Sequence, residues 1–307
     1  MTTITPPVAS LAPGIAPPPP SPAAPPPLTP GSRTVVRVLL VAAAAVLLIG
    51  TVASLAVAAF GLSALRMTTD TQPLPAAMKS LTVDTADSTT LVRIVADKSA
   101  TTPRVDLRQV DSRQSPGAAV TVANEPAGTR VTVASHSGRF MDFNRAGELT
   151  VTLPPDLAKK LSVTVHQEDG VVLAQADVDQ LVARTIDGAI VLSGSARRVE
   201  ITSQDGSVVT REPISVTESF NATTSDGSIN VDFKNAPPKT IDVTSRDGSV
   251  TVALPSRGPY LVDANTDYGD GSTEVNVPQT NDPDDAASVI TARSEDGSVV
   301  VTTLGRS

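Results

Sequence analysis

Hydrophobic and polar positions in the C-terminal half of the chain alternate in short arms that meet at Asp-Gly pairs. The pairs are Asp169-Gly170, Asp187-Gly188, Asp205-Gly206, Asp226-Gly227, Asp247-Gly248 and Asp296-Gly297, with glycines spaced 18, 18, 21, 21 and 49 residues apart. A degenerate Asp270-Gly271 divides the last gap into 23 and 26. Seven residues before each glycine stand Val163, Leu181, Val199, Phe220, Ile241 and Ile290, and five before stand Val165, Ala183, Ile201, Ala222, Val243 and Ala292. Two residues after it come Val172, Ile190, Val208, Ile229, Val250 and Val299. Those offsets have the period of a half-buried strand on both sides of the glycine. Each unit therefore reads as strand, turn, strand with one apolar face, and Asp and Gly tolerate the left-handed backbone of the turn.

A period near 20 residues predicts an array of small units. The offsets suit hairpins stacked as a β-sandwich, and they equally suit the arcs of a β-solenoid in which each strand pairs with its copy in the next coil. Near-constant unit length, Val and Ile at equivalent sites and few aromatics favour an all-β, β-solenoid-like domain, with the hairpin-based sandwich as the alternative. Alternation continues between Leu81 and Leu153 without Asp-Gly, so residues 81–160 are expected to cap the array and residues 161–304 to form it. At Leu153-Pro154-Pro155 and Leu254-Pro255 the strands should turn corners, because proline cannot donate to a ladder.

The N-terminal quarter has no such alternation. Residues 1–32 hold 12 prolines, a composition expected to be disordered with polyproline II stretches, as a cytoplasmic spacer or a docking tail for a cytoplasmic partner. Val38 to Leu65 is 28 residues without a charge, about 42 Å as a helix, enough to cross a bilayer of about 30 Å with tilt. Residues 33–66 are thus expected as a single transmembrane signal-anchor, and 67–80 as a stalk. Arg33 and Arg37 before the span orient the N-terminus inward and place residues 81–307 outside the cytoplasm.

Charge and composition narrow the function. Residues 1–69 carry +3 and the remainder −11, so counterion release on nucleic acid is excluded as a basis for binding. Without cysteine the chain has neither disulfides nor a thiol nucleophile.

The Ser-x-Asp-Gly-Ser-Val/Ile units, the Val151 to Pro155 corner followed by Leu161 to Val165, and the single anchor resemble the bacterial putative-adhesin family of β-strand-repeat domains of unknown function. The resemblance covers roughly Leu81 to Leu304. It implies a β-solenoid-like exported domain used in adhesion and carries over no catalytic residues.

Catalytic motifs are sparse. The two histidines, His136 and His166, lack a nucleophile elbow, and His166 falls on the outward face of its strand. No phosphate loop or paired-histidine zinc spacing occurs. The repeated aspartates would line up as a carboxylate ladder, which cations could bridge. Asp263, Asn265, Asp267 and Glu274 stand at positions 1, 3, 5 and 12 of a calcium loop, although Tyr268 replaces its turn glycine. Asn281, Asp282, Asp284 and Asp285 form a second acidic stretch, read as a solvated insertion. The expectation is a membrane-anchored adhesin-like scaffold without catalysis or cofactor, recognising a cell-wall glycan or surface protein. A calcium-dependent module, an envelope-stress sensor and, least favoured, a glycan-cleaving enzyme are the alternatives.

Overall fold

The computed structural model describes residues 65–85, 88–112, 119–134, 147–267 and 271–305. The polyproline segment and the apolar segment up to Ala64 lie outside them, and no helix among the described residues is long and apolar enough to cross a membrane.

Seven strands come first: β1 (Leu65–Pro73), β2 (Ser80–Asp84), β3 (Thr90–Ala96), β4 (Arg104–Ser112), β5 (Ala119–Glu125), β6 (Gly128–Ala134) and β7 (Gly147–Leu153). A one-turn helix, α1 (Pro155–Ala158), starts at the proline corner. Three long strands follow, β8 (Ser162–Gln175), β9 (Val178–Leu192) and β10 (Ser195–Thr210), each with an Asp-Gly pair in its interior. The remaining eight are β11 (Ser215–Thr224), β12 (Ile229–Asp232), β13 (Thr240–Asp247), β14 (Val250–Leu254), β15 (Leu261–Thr266), β16 (Thr273–Asn276), β17 (Val289–Asp296) and β18 (Val299–Thr303).

Pairing decides between coil and hairpin. Asp169 lies opposite Asp187 and Asp187 opposite Asp205, all in parallel register, and the glycines follow suit. Both arms of a unit thus pair with the same arms of neighbouring units, as in a solenoid; in a hairpin the two arms would pair antiparallel with each other. Asp-Gly is accordingly a bend within one rung, where the strand changes direction without reversing. The inward positions are those expected, with Val163, Val165, Val172, Ile190, Val208 and Ile229 at 1% exposure or less. Burying each such side chain stabilises the fold by about 1.5–3 kcal/mol.

Rungs do not stack in chain order. From one end to the other they run β6/β7, β2/β3, β8, β9, β10, β11/β12, β13/β14, β17/β18 and β15/β16. The rung holding Gly271 is therefore terminal, and the Asp296-Gly297 rung slips in beneath it. The acidic stretch around Asp282 lies in the exposed loop 277–288 that carries the chain back to that inner place.

Antiparallel strands close the first end. β4 pairs antiparallel with β7, β5 with β6, and β1 with β4 over nine residues. Residues 67–80, expected as a stalk, are corrected by this pairing: most of β1 comes from them. Its register with β4 is reinforced where Thr71 donates to Asp106 at 2.7 Å, and Asp70 ties it to β5 by accepting the Val120 N–H at 3.2 Å.

Candidate functional site

The corners of the later rungs are fixed by a contact that the apolar pattern does not reveal. Three residues before each glycine stand Gln167, Thr185, Ser203, Thr224, Ser245 and Ser294, all buried although polar. Thr224 donates to the carbonyl of Gly206 at 3.0 Å, Ser245 to that of Gly227 at 2.8 Å and Ser294 to that of Gly248 at 2.8 Å. Thr266 does the same to Gly297 at 2.9 Å. Each hydroxyl satisfies a carbonyl in the adjacent rung that a bent strand would otherwise leave buried and unpaired. The sequence signal was a hydroxyl at five of six such positions, three serines and two threonines, where an inward apolar residue would be expected by alternation.

Outside this corner the aspartates stack. Asp205 lies between Asp187 and Asp226, and its carboxyl is raised above the ordinary range first by hydrogen bonding with Asp226, then by desolvation and by Asp187. Asp247 is raised likewise, first through Asp226. Elsewhere the outward charges alternate in sign. Arg197 forms a fork with Asp179, both N–H···O distances 2.8 Å, and reaches Glu218 at 2.9 Å, while Arg198 meets Glu218 at 2.6 Å. The Arg197 guanidinium holds Asp179 below the usual carboxylate range, and Arg198 does so for Glu218. These pairs are solvent-exposed and add little to stability.

The two groups respond to acid in opposite directions. Asp205 and Asp247 bind protons more tightly when folded, so stability rises as pH falls through their raised values and is lost as pH rises through them. Asp179 and Glu218 have depressed values, so their contribution is present above the unfolded value and lost as pH falls below it. The melting temperature is therefore expected to climb as pH drops from neutrality toward the carboxylate range and then to turn down. Asp205→Asn should flatten the climb; a wild-type melting temperature that only falls from neutrality would contradict the stacked carboxylates.

Two hollows lie on the outward face of the first arms. The larger, about 610 Å³, is a trough lined by Gln180, Arg198, Glu200, Glu218, Asn221 and Lys239, contributed by β9, β10, β11 and the approach to β13. Parallel register presents one polar side chain per rung at a spacing of about 4.8 Å. The smaller, about 250 Å³, is lined by residues including Asp84, His166 and Arg184; His166 pairs across to Asp84 on β2 and to Arg184 on β9. His166 is thus on the outward face, as its offset predicts, and His136 lies outside the described residues.

The calcium-loop residues are placed on strands. Asp263 and Asn265 belong to β15 and Asp267 follows it, while Glu274 belongs to β16. In an extended chain alternate side chains share a face about 7 Å apart, so they do not converge as they do in a loop. Asp263 is engaged by Arg293 at 2.9 Å, Asn265 donates to Asp267 at 2.8 Å, and Glu274 accepts from Asn276 at 2.6 Å. Among the described residues no group of three or more acidic or histidine side chains is disposed to hold a metal ion.

The arrangement is that of a parallel β coil with polar outward rows and an apolar interior. Residues 171–303 match the Toastrack DUF4097 family model. No curated protein matches the chain. Among solved structures, it is similar to a putative adhesin from Parabacteroides merdae, with 13% identity, 77% of this chain and 96% of that one covered, and a TM-score of 0.43. A putative adhesin from Parabacteroides distasonis shows 13% identity over 77% and 97%, with a TM-score of 0.41. A putative cell adhesion protein from Clostridium sporogenes shows 11% identity over 78% and 100%, with a TM-score of 0.33.

Proposed function

We propose that the chain is a membrane-anchored, extracytoplasmic binding module of adhesin-like type, acting as a scaffold without catalysis. The observation that supports this reading is the trough over the first arms, where amide, hydroxyl and charged groups recur rung after rung. A polymer with repeating hydroxyl or amide groups meets such a surface at several rungs at once, so weak contacts add along its length. Cell-wall glycan or a protein of the cell surface is the partner class, and the acidic surface disfavours nucleic acid. The anchor rests on the uncharged stretch from Val38 up to Ala64, before β1 begins, with the N-terminus cytoplasmic.

The test is co-sedimentation of the detergent-solubilised full chain with isolated cell-envelope material, in calcium and in chelator. Saturable binding in both is expected, with Asn221→Ala plus Lys239→Glu weakening it about tenfold, the worth of one or two good polar contacts. Absence of binding in both conditions would overturn the reading. Binding lost in chelator would redirect it to a calcium-dependent module.

A further inference from the structure

The two ends of the coil are finished differently. At the first end β4, β5 and β1 lie over the outermost rung in antiparallel pairing. At the other, β15 pairs with β17 and β16 with β18, and no described strand lies beyond them. Leu261 donates to Ser288 at 3.1 Å and Asp267 to Ser294 at 3.0 Å. In a parallel ladder alternate residues turn their N–H and C=O to the same neighbour, so those of Val262, Ala264 and Thr266 point away from β17. The hydrophobic interior ends there as well. Val262, Ala264, Val275 and Val277 pack on the core but stay only partly buried, whereas Ile290, Ala292 and Val301, their counterparts one rung in, are at 0% exposure. On the outward side this end carries exposed Asp267 and Glu274, and the adjoining loop carries Asp282, Asp284 and Asp285. Of the nearby cations, Arg293 is taken by Asp263 and Arg257 lies in the loop before β15.

We propose that the edge formed by β15 and β16 accepts an extended segment of another protein in which apolar residues alternate with lysine or arginine. Added as one more strand, such a segment pairs with the free backbone groups, lays its apolar side chains over Val262 and Ala264, and sets its cations beside Asp267 and Glu274. A second copy of this chain fits less well, because its own acidic edge would bring like charges together. The edge is separate from the trough, and a different probe reads it.

The probe is an eight-residue peptide alternating valine with lysine, followed by fluorescence anisotropy against the full chain in detergent. Saturable binding is expected, at least about tenfold tighter than for the same peptide with glutamate in place of lysine. Ala264→Pro removes an N–H that faces no strand, which an edge position tolerates, and should weaken binding about tenfold or more by blocking strand addition. Should that variant fail to fold, Asp267→Lys with Glu274→Lys keeps the backbone and should reverse the preference toward the glutamate peptide. Equal binding of the two peptides, or binding undiminished in folded Ala264→Pro, would overturn the proposal. So would a dimer in light scattering that Ala264→Pro dissolves, since the edge would then belong to a second copy.

Discussion

Gly188→Ala is expected to lower the unfolding free energy by about 3–5 kcal/mol, a large share of the 5–15 kcal/mol that holds a typical domain folded. Gly188 has φ +150°, and a Cβ built on it would collide with the carbonyl oxygen of Gly170 in the next rung. The obstruction is backbone, so no side-chain rotation relieves it. The rungs would have to separate at the corner, breaking ladder hydrogen bonds on both arms. Gly206 meets the carbonyl of Gly188 in the same way, and Gly227 that of Gly206. The informative control is Gly147→Ala, where the nearest atom stands 3.6 Å away and a change below about 1 kcal/mol is expected. Urea unfolding of both variants checks the pair; equal midpoints would mean that the rungs are not in contact at the glycine column.

Phe220→Ala is expected to cost about 3–5 kcal/mol. The Phe220 ring is fully buried and meets Phe233 edge to face, with centroids 5.2 Å apart and planes at 84°. Both aromatics lie in rungs that follow the change from 18-residue to 21-residue spacing, where the cross-section has more to fill. In the narrower rungs the positions in register with Phe220 are held by Val199 and Leu181. Phe220→Leu keeps most of the volume and should cost about 1–1.5 kcal/mol. In a double-mutant cycle with Phe233→Ala the coupling should be about 0.5–1.5 kcal/mol, the worth of the ring geometry beyond area. Thermal or urea unfolding reads all three, and a coupling near zero would place the rings in independent parts of the core.

Which face of each arm is buried could be read from the sequence, because a period of two leaves little choice once Val163, Val165 and Val172 are seen to recur. The bend at Asp-Gly was legible as well, but its pairing partners were not, since the same offsets satisfy a hairpin and a coil. Rung order was hidden for a related reason. Every rung offers its neighbours the same column of glycine, valine and hydroxyl, so Gly271 and Gly297 are interchangeable to local rules, and the connecting loop decides. β1 has almost no apolar alternation to announce it; β4 supplies its register. At the trough, single residues such as Asn221 and Lys239 carry no motif, and they become a site only because rungs 18 to 21 residues apart bring them together. The spacing of Asp263, Asn265, Asp267 and Glu274 met the arithmetic of a loop while the alternation around them specified strands, and the strands prevailed.

The exchange of the last two rungs bears on how the domain comes into being. A polypeptide leaving the ribosome or a translocation channel presents β15 and β16 before β17 and β18, yet the layer they must rest on is made from the final strands of the described chain. Until Val299–Thr303 has emerged, the layer on which the earlier pair finally rests is missing, and β13/β14 offers that pair only a seat out of its final order. A copy cut short by a few residues would lose an internal layer and orphan the one above it, so proteases that survey unfinished products would find two loose strand pairs in place of one frayed end.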